Sequence, residues 1–231
     1  MSLRLRPRRR ARSARALVLA AALPVAALPA ASPLSAQLGS RPAEEWALVL
    51  ESGRRLESLE IERVVAAIGL RPGDVVADIG AGTGIFSIPL ARAVGQEGQV
   101  LSVEVDPGFL PMIERKAREQ GVANVRTVLG EFTDPKLPTR EVDVAFFHDV
   151  LHHIEDRAAY LRTLAGYLAP GGRIVVVDYD ENVPGVPHAD QPELLIGPDD
   201  VEGWMRAAGL ELTRAIDMFD DKFFVIYTLG S

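Results

Sequence analysis

The sequence predicts an α/β fold in which a mainly parallel, doubly wound sheet is covered by helices on both faces. Short runs rich in β-branched residues alternate with stretches of helical periodicity between residues 74 and 208, as in parallel strands joined by helical crossovers. A glycine-rich segment directly follows the first of these runs, which places a sharp turn between strand and helix. Two further strand-like runs near the C-terminus lie too close together for a crossover helix, so they must be antiparallel.

Length and composition fit one such domain. The chain has 231 residues, of which 48% are hydrophobic and 25% are charged, and these values lie well away from those of disordered chains. The sequence contains no cysteine. Disulfides, cysteine-ligated metal sites and thiol nucleophiles are therefore excluded.

Residues 1–36 differ from the rest of the chain in charge, because they contain seven arginines and no acidic residue. An apolar stretch follows at residues 16–31, interrupted by Pro24 and Pro29, and small residues precede Gln37. Basic, apolar and small residues in this order are typical of a secretory signal. We therefore predict a signal peptide over residues 1–36. The apolar stretch is shorter than the roughly 20 residues of a membrane-spanning helix, so no stable span is expected after cleavage.

Two alternatives stay open for this segment. If it is not cleaved, its arginines would hold the N-terminus in the cytoplasm and place the domain outside. Cleaved or uncleaved, the segment thus predicts export, to the periplasm. If the start codon is assigned wrongly, the protein would instead be cytoplasmic.

The remaining 195 residues carry 18 basic and 32 acidic residues, a formal net charge of −14. Binding to a nucleic-acid backbone depends on clustered lysines and arginines. A nucleic-acid partner is therefore not expected. The oligomeric state does not follow from the sequence.

The elements of the domain, expected over residues 37–231, follow in order. After a polar linker at 37–43, apolar residues at helical spacing predict a helical lead-in over about 44–70. Strands are predicted at 74–79, 100–105, 125–129, 142–147, 173–177, 211–218 and 222–229, and helices at about 86–95, 107–120, 155–168 and 199–208. Pro198 and Gly209 bracket the last helix. A tight polar turn at 220–221 predicts that the last two strands form a hairpin.

The glycine-rich segment at residues 78–84 reads DIGAGTG. Glycines let a ligand lie against bare backbone. Dinucleotide-binding folds use G-x-G-x-x-G, but here Ile85 stands where the third glycine of that pattern would be. The Gly-Lys-Ser/Thr of phosphate-binding loops is absent as well. A dinucleotide-dependent oxidoreductase is therefore disfavoured.

Glu104 ends the second predicted strand, and its carboxylate can accept hydrogen bonds from two vicinal ribose hydroxyls. The combination indicates a nucleoside that is not held by phosphates. S-adenosyl-L-methionine fits this description, and its sulfonium charge suits Asp78 and an acidic domain.

Three of the four histidines lie in the sequence HDVLHH at residues 148–153. If a helix begins there, His148 and His152 share one face, and Asp149 and His153 share the next. A general base or a metal site could result, or the segment could cap a helix and pack on a cofactor. We take His148 and Asp149 as the candidate catalytic residues, with Asp178 as a further candidate base, and we expect no metal site.

Together these segments resemble the class I S-adenosylmethionine-dependent methyltransferases, in particular a bacterial methyltransferase-domain group related to quinone-biosynthesis enzymes. The resemblance covers about residues 44–229. It is carried by VVADIGAGTG (75–84), VEVDPGFL (103–110), GEF (130–132), HDVLHHIED (148–156), LAPGGRIVVVD (168–178) and the terminal hairpin. It implies a Rossmann-like, seven-stranded sheet of order 3-2-1-4-5-7-6 with strand 7 antiparallel.

The resemblance also implies eight cofactor-binding residues. They are Asp78, Gly80, Gly82, Gly84, Glu104, Val105, Glu131 and Phe132. Asp78 and the glycine backbone are expected to hold the methionine part of the cofactor, and Glu104 the ribose. Glu131 and Phe132 are expected to meet the adenine, although aspartate is more common than glutamate at position 131.

Among the aromatic residues, Phe146, Phe147 and Trp204 are expected in the core. Trp46 lies in the lead-in, a segment that in this family often covers the active site.

The function implied is transfer of a methyl group from S-adenosyl-L-methionine to a small organic or lipid-like molecule. Neither this acceptor nor its reacting atom follows from the sequence. The alternative is an exported protein of the same fold that binds S-adenosylmethionine or S-adenosylhomocysteine without turnover, because the cofactor is made in the cytoplasm.

Overall fold

The computed structural model describes residues 41–230. The predicted signal peptide over residues 1–36 lies outside this range and stays a prediction. Within the range, every helix is too short or too polar to cross a membrane.

Seven strands form one sheet in the order β3-β2-β1-β4-β5-β7-β6. They are β1 (Val75–Ile79), β2 (Gln99–Glu104), β3 (Val125–Leu129), β4 (Val142–His148), β5 (Leu168–Tyr179), β6 (Leu210–Ala215) and β7 (Lys222–Leu229). The first five strands pair in parallel, whereas β7 is antiparallel to both β5 and β6. The predicted fold class and strand order are confirmed.

Seven α-helices accompany the sheet in the described part of the chain. They are α1 (Ala43–Leu50), α2 (Gly53–Ser58), α3 (Ile61–Ile68), α4 (Ser87–Val94), α5 (Leu110–Glu119), α6 (Arg157–Ala165) and α7 (Pro198–Ala207). The lead-in is helical, but it consists of three short helices. Extended backbone at Ser52 ends α1, and left-handed backbone at Glu60, with φ of 48°, separates α2 from α3.

The limits of α7 follow the predicted pattern. Pro198 is its first residue, and the carboxylate of Asp200 accepts a hydrogen bond from the Gly197 N–H at 3.1 Å. Gly209 lies just past its end with φ of 82°, a conformation that favours glycine. These residues account for the positions at which α7 begins and ends.

The core consists of two apolar layers, one on each face of the sheet. Side chains of β4 alternate between them: Phe146 packs in the layer of α3 and α4, and Phe147 in the layer of α6 and α7. Both phenylalanines are fully buried, and Trp204 packs against the second layer. Burial on both faces explains why the central strands read as continuous apolar runs.

The connection between β6 and β7 differs from the predicted tight turn. β6 ends at Ala215, three residues before the predicted limit, and residues 216–221 form the connection. Its apolar side chains, Ile216, Met218 and Phe219, pack against the layer of α3 and α4. The predicted strand end at Met218 was wrong because these side chains cover the core instead of extending an edge strand.

The parallel strands bring their carboxyl ends to one edge of the sheet. β1 lies between β2 and β4, so the chain turns to opposite sides after β1 and after β3. Open α/β sheets bind ligands in the crevice at such a point.

Candidate functional site

A cavity of about 230 Å³ opens at the carboxyl ends of β1, β2 and β4. Its lining includes eight of the ten predicted site residues: Gly80, Gly82, Glu104, Val105, Glu131, Phe132, His148 and Asp149. Asp78 and Gly84 are not part of the lining. The structure thus brings together residues that are up to 69 positions apart in the chain.

The glycine loop forms one wall of the cavity. The N–H groups of Gly80 and Ala81 both donate to the carbonyl of Val103, at 2.9 and 3.0 Å, which ties the loop to β2. Gly80 has φ of +69°, and a Cβ there would lie 2.6 Å from Cγ2 of Val150. Glycine is therefore required both by the backbone conformation and by the close approach of Val150.

Glu104 forms the next wall and is only 8% exposed. Its Oε1 accepts from the Gly82 N–H at 2.6 Å, and its Oε2 accepts from the Val105 N–H at 3.0 Å. Burial raises the pKa of Glu104 to about 7 in spite of these bonds. Each carboxylate oxygen retains a further lone pair that can accept from a ligand hydroxyl.

Asp78 is buried at the end of β1, and it is not part of the cavity lining. Ser87 Oγ donates to Asp78 Oδ2 at 2.6 Å, and Ser102 Oγ donates to Ser87 Oγ at 2.8 Å. Burial raises the pKa of Asp78 to about 6. The carboxyl group therefore links β1, α4 and β2 beneath the loop.

Gly84 ends the glycine loop and packs beside α5. Its N–H donates to the carbonyl of Ala81 at 2.8 Å, and a Cβ at its φ of +79° would lie 3.3 Å from Ile113. Its role in the structure is the closure of the turn.

The opposite end of the cavity is open to solvent. Phe132 is 40% exposed, and Glu131 forms a surface ion pair with Lys136 at 3.3 Å. Both residues follow β3, at the cavity edge where the resemblance expects the adenine.

Asp149 is the centre of a buried charge cluster. Its carboxylate lies 2.8 Å from Lys222 Nζ, 3.2 Å from Arg55 and 3.5 Å from His148 Nδ1. Burial alone would raise the pKa of Asp149, but His148 and Lys222 outweigh it and hold this pKa far below its usual range. Asp149 is therefore ionised at neutral pH and too weak a base to take a proton from an acceptor.

His148 is the other candidate catalytic residue. Burial lowers its pKa, and its ring stacks on Phe86 with centroids 4.6 Å apart. With Nδ1 directed at Asp149, its buried Nε2 has no hydrogen-bond partner among the described residues. His148 thus presents a neutral imidazole with a free acceptor nitrogen.

Three further residues from the lead-in helices line the cavity, Trp46, Leu50 and Arg55. The position of Trp46 agrees with the expectation from the resemblance. Trp46 Nε1 and Arg55 Nε are buried, and neither has a hydrogen-bond partner in residues 41–230. Sequence reasoning missed Arg55 because Asp149, its ionic partner, lies 94 residues further along the chain.

The remaining histidines form a second cluster beside the cavity. β4 runs through His148, and residues Leu151–His153 form a single 3₁₀ turn, so the helical face considered for His148 and His152 does not exist. His152 and His153 instead contact His188, with ring centroids 5.2 and 5.5 Å away. Burial lowers the pKa of His153 to about 3, with smaller contributions from His152 and His188. Nothing near residue 188 in the sequence indicates this contact.

Comparison with known proteins gives a family match and a shared fold. Residues 77–176 match the sequence model of a family described as "Methyltransferase domain". The ubiquinone/menaquinone biosynthesis C-methyltransferase UbiE of Vibrio vulnificus is 31% identical over 116 residues, which are 50% of this chain and 45% of that protein. The match therefore spans less than half the length of this curated relative.

Solved structures share the architecture at low sequence identity. A SAM-dependent methyltransferase from Aquifex aeolicus superposes with a TM-score of 0.73 at 23% identity, covering 82% of this chain and 99% of the other. The magnesium protoporphyrin IX methyltransferase of Synechocystis PCC 6803, solved with bound SAM, gives 0.67 at 19% identity, covering 88% and 100%. The described chain therefore has the α/β, Rossmann-like fold of these methyltransferases, and its residues 77–176 match the methyltransferase domain family.

Proposed function

We propose that this protein is an S-adenosylmethionine-dependent methyltransferase that acts on a small organic or lipid-like acceptor. The observation that carries the proposal is the position of the Glu104 carboxylate, beside the bare backbone of Gly80 and Gly82 in one cavity. These residues fit a nucleoside that is bound through its ribose hydroxyls and has no phosphate contacts. The family match and the shared fold support the same cofactor.

We assign residues at the cavity to each part of the cofactor. In this proposal the ribose hydroxyls donate to Glu104, and the adenine lies beside Val105 and Phe132. The methionine part follows the glycine loop, with its carboxylate directed to the unpartnered Nε of Arg55. Asp78 supports the loop through its hydrogen bond with Ser87.

Methyl transfer is a displacement in which the bond from carbon to sulfur breaks as the bond from carbon to the acceptor forms, and the sulfonium loses its charge. The chain's contribution is to align the two molecules and exclude water. If the acceptor must lose a proton, His148 Nε2 is placed to receive it. Asp149 then keeps the proton on Nδ1 and stabilises the imidazolium.

The apolar surroundings favour an apolar acceptor. Trp46 and Leu50 of α1 line the cavity, while Leu48 and Val49 of the same helix are 78% and 45% exposed. Exposed apolar residues next to a cavity are typical of sites that receive apolar ligands. The curated relative is named for carbon methylation in quinone biosynthesis, which supports a lipid-like acceptor here.

Thermal melting of the full chain with S-adenosylmethionine, S-adenosylhomocysteine or NAD tests the cofactor. Saturation at 100 times the dissociation constant should stabilise by about 2.7 kcal/mol, which raises the Tm by several degrees. Glu104→Ala should remove the shift, whereas Asp106→Asn, two residues away, should keep it. A shift with NAD alone would refute the proposal.

Turnover needs its own measurement, since a protein that only binds the cofactor would pass the melting test. Formation of S-adenosylhomocysteine is followed with a panel of quinols and phenols dispersed in detergent. Binding without product in every case would favour the alternative of a binding protein.

A further inference from the structure

We propose that His152, His153 and His188 form a binding site for a divalent transition-metal ion of the zinc class. Nothing in the methyl-transfer proposal requires this site, and metal binding can be measured without methyl donor or acceptor.

The first support is the spacing of the three imidazoles. One ring nitrogen from each histidine lies within 4.8 Å of the other two, and the rings of His152 and His153 are 4.0 Å apart. Zinc binds imidazole nitrogen at about 2.0–2.1 Å, which places tetrahedral ligands about 3.4 Å apart. Small ring rotations therefore close the set around an ion.

The second support is a pair of buried atoms that lack partners. His152 Nε2 and His153 Nδ1 are inaccessible to solvent and make no hydrogen bond within residues 41–230. Buried polar atoms without a partner are rare in folded proteins. A metal ion would satisfy both nitrogens at once.

The third support is the buried carboxylate that orients His152. Asp178 is fully buried, and its Oδ1 lies 2.6 Å from His152 Nδ1. Asp178 also accepts the backbone N–H of His152 at 3.1 Å and that of Tyr179 at 2.9 Å. The carboxylate keeps the proton on Nδ1 and leaves the lone pair of Nε2 free. Histidines that bind metals are usually oriented in this way.

His188 comes from the loop between β5 and α7, 35 residues beyond His153. Its backbone has φ of +64°, in the left-handed region that histidine adopts more often than most residues other than glycine. Three of the four histidines in the protein thus meet at one point.

The charged residues around the cluster are compatible with a bound cation. The negative charges of Asp178 and Asp190 at His188 would attract a metal ion, whereas the positive charge of Arg157 at His153 would repel it. Arg157 is already engaged, because its Nη2 donates to the backbone carbonyls of His152 and Glu193 at 2.6 and 2.7 Å. Since His153 also lines the cavity, a fourth metal ligand, water or an oxygen of a bound molecule, would lie at the cavity wall.

Zinc titration of the untagged full chain, in competition with a chromophoric chelator, tests the proposal. We expect one ion per chain with a dissociation constant of about 10 μM or tighter. His152→Ala and His188→Ala should each weaken binding at least about tenfold. His148→Gln changes the fourth histidine, which lies outside the cluster, and should leave the affinity unchanged. Circular dichroism confirms that each variant is folded.

A positioning role for Asp178 gives a second readout. Asp178→Asn should lower zinc affinity by about 10- to 100-fold while all three ligands remain. Cobalt(II) bound to the wild-type protein should show the visible absorption of a tetrahedral nitrogen site, and His188→Ala should lose it. Should His152→Ala fail to fold, His188 lies in a partly exposed loop and keeps the test decisive.

Failure of the wild-type protein to compete with the chelator would overturn the proposal. So would equal zinc affinity in wild type and His188→Ala. Neither result bears on cofactor binding, which the melting experiment measures without metal.

Discussion

At the scale of single residues, Glu104 is a buried carboxyl group whose proposed role in ligand binding requires the ionised form. Its carboxyl group is nearly inaccessible to solvent, which favours the protonated form, yet ribose hydroxyls bind best to the ionised form. The backbone N–H groups of Gly82 and Val105 already offset part of the cost of ionisation. The protonation state of Glu104 therefore affects both the stability of the ligand-free protein and its affinity for the ligand.

The first prediction concerns the pH dependence of stability without ligand. Burial raises the pKa of Glu104 from 4.5 to about 7, so the folded protein binds this proton more tightly than the unfolded chain does. The stabilisation is fully present below pH 4.5 and is lost as the pH rises through about 7, an effect of roughly 3 kcal/mol. Denaturant unfolding of wild type and Glu104→Gln over this pH range isolates it. The free energy of unfolding of wild type minus that of Glu104→Gln should fall as the pH rises. A difference that stays constant or increases with pH would contradict the raised pKa.

The second prediction concerns the charge cluster around Asp149. Asp149→Asn would leave Lys222 buried without its counter-ion, and loss of one partner from a buried ion pair costs about 3–5 kcal/mol. Urea unfolding measures this loss. Asp220→Asn, which removes the same charge from an exposed loop residue, serves as the control and should change stability by less than about 0.5 kcal/mol. Equal effects of the two changes would show that the cluster does not stabilise the fold.

At the scale of elements, the glycine loop between β1 and α4 joins fold and site. Its backbone is fixed by hydrogen bonds to β2, and Gly80 lies close to Val150 from the segment after β4. The loop therefore has no room to move aside for an added side chain.

The third prediction compares two glycines with positive φ. Gly80→Ala adds a Cβ 2.6 Å from Val150, whereas Gly171→Ala, at a φ of +75°, meets no atom within 4 Å. Both changes strain the backbone by about 1–2 kcal/mol, and overpacking adds a further 1–3 kcal/mol or so at Gly80 alone. Only Gly80→Ala should also abolish the Tm shift with S-adenosylmethionine. Equal loss of stability in the two variants would show that the contact with Val150 is unimportant.

The sequence predicted features that lie within short stretches of the chain, but it did not predict contacts between residues that are far apart in the chain. The alternation of strands and helices, the glycine loop and the end of β2 at Glu104 all lie within short stretches, so the sequence alone indicated them. Arg55, Lys222 and His188 join the site across 94, 73 and 35 residues from their partners Asp149 and His153. Their contacts exist only once the sheet and its loops have formed. The strand order came from the resemblance, since periodicity does not specify which strands are neighbours.

At the scale of the whole molecule, charge divides the chain. Residues 1–36 carry seven positive charges, and the remainder carries a net charge of −14. The acidic domain suits a cationic cofactor, and the basic segment suits export.

The fourth prediction concerns that segment. If residues 1–36 are a cleaved signal, N-terminal sequencing of the native protein should begin near Gln37, and the protein should fractionate with the periplasm. The matched control is a chain in which the arginines before residue 16 are replaced by glutamine, which should be retained unprocessed. An intact Met1 on a cytoplasmic protein would contradict export.

The antiparallel β7 imposes an order on folding. Within residues 41–230 it follows every other strand, yet it lies inside the sheet. In the same range it supplies the only strand-pairing partner of β6 and one of the two partners of β5. During synthesis, β5 is therefore left with an unpaired edge of buried-type residues, Ile174 to Val177, until residues 222–229 emerge from the ribosome. A chain built in this way stays incompletely folded until late in its synthesis. If residues 1–36 are a signal peptide, this delay would keep the chain available to a translocation machinery that accepts only unfolded polypeptides.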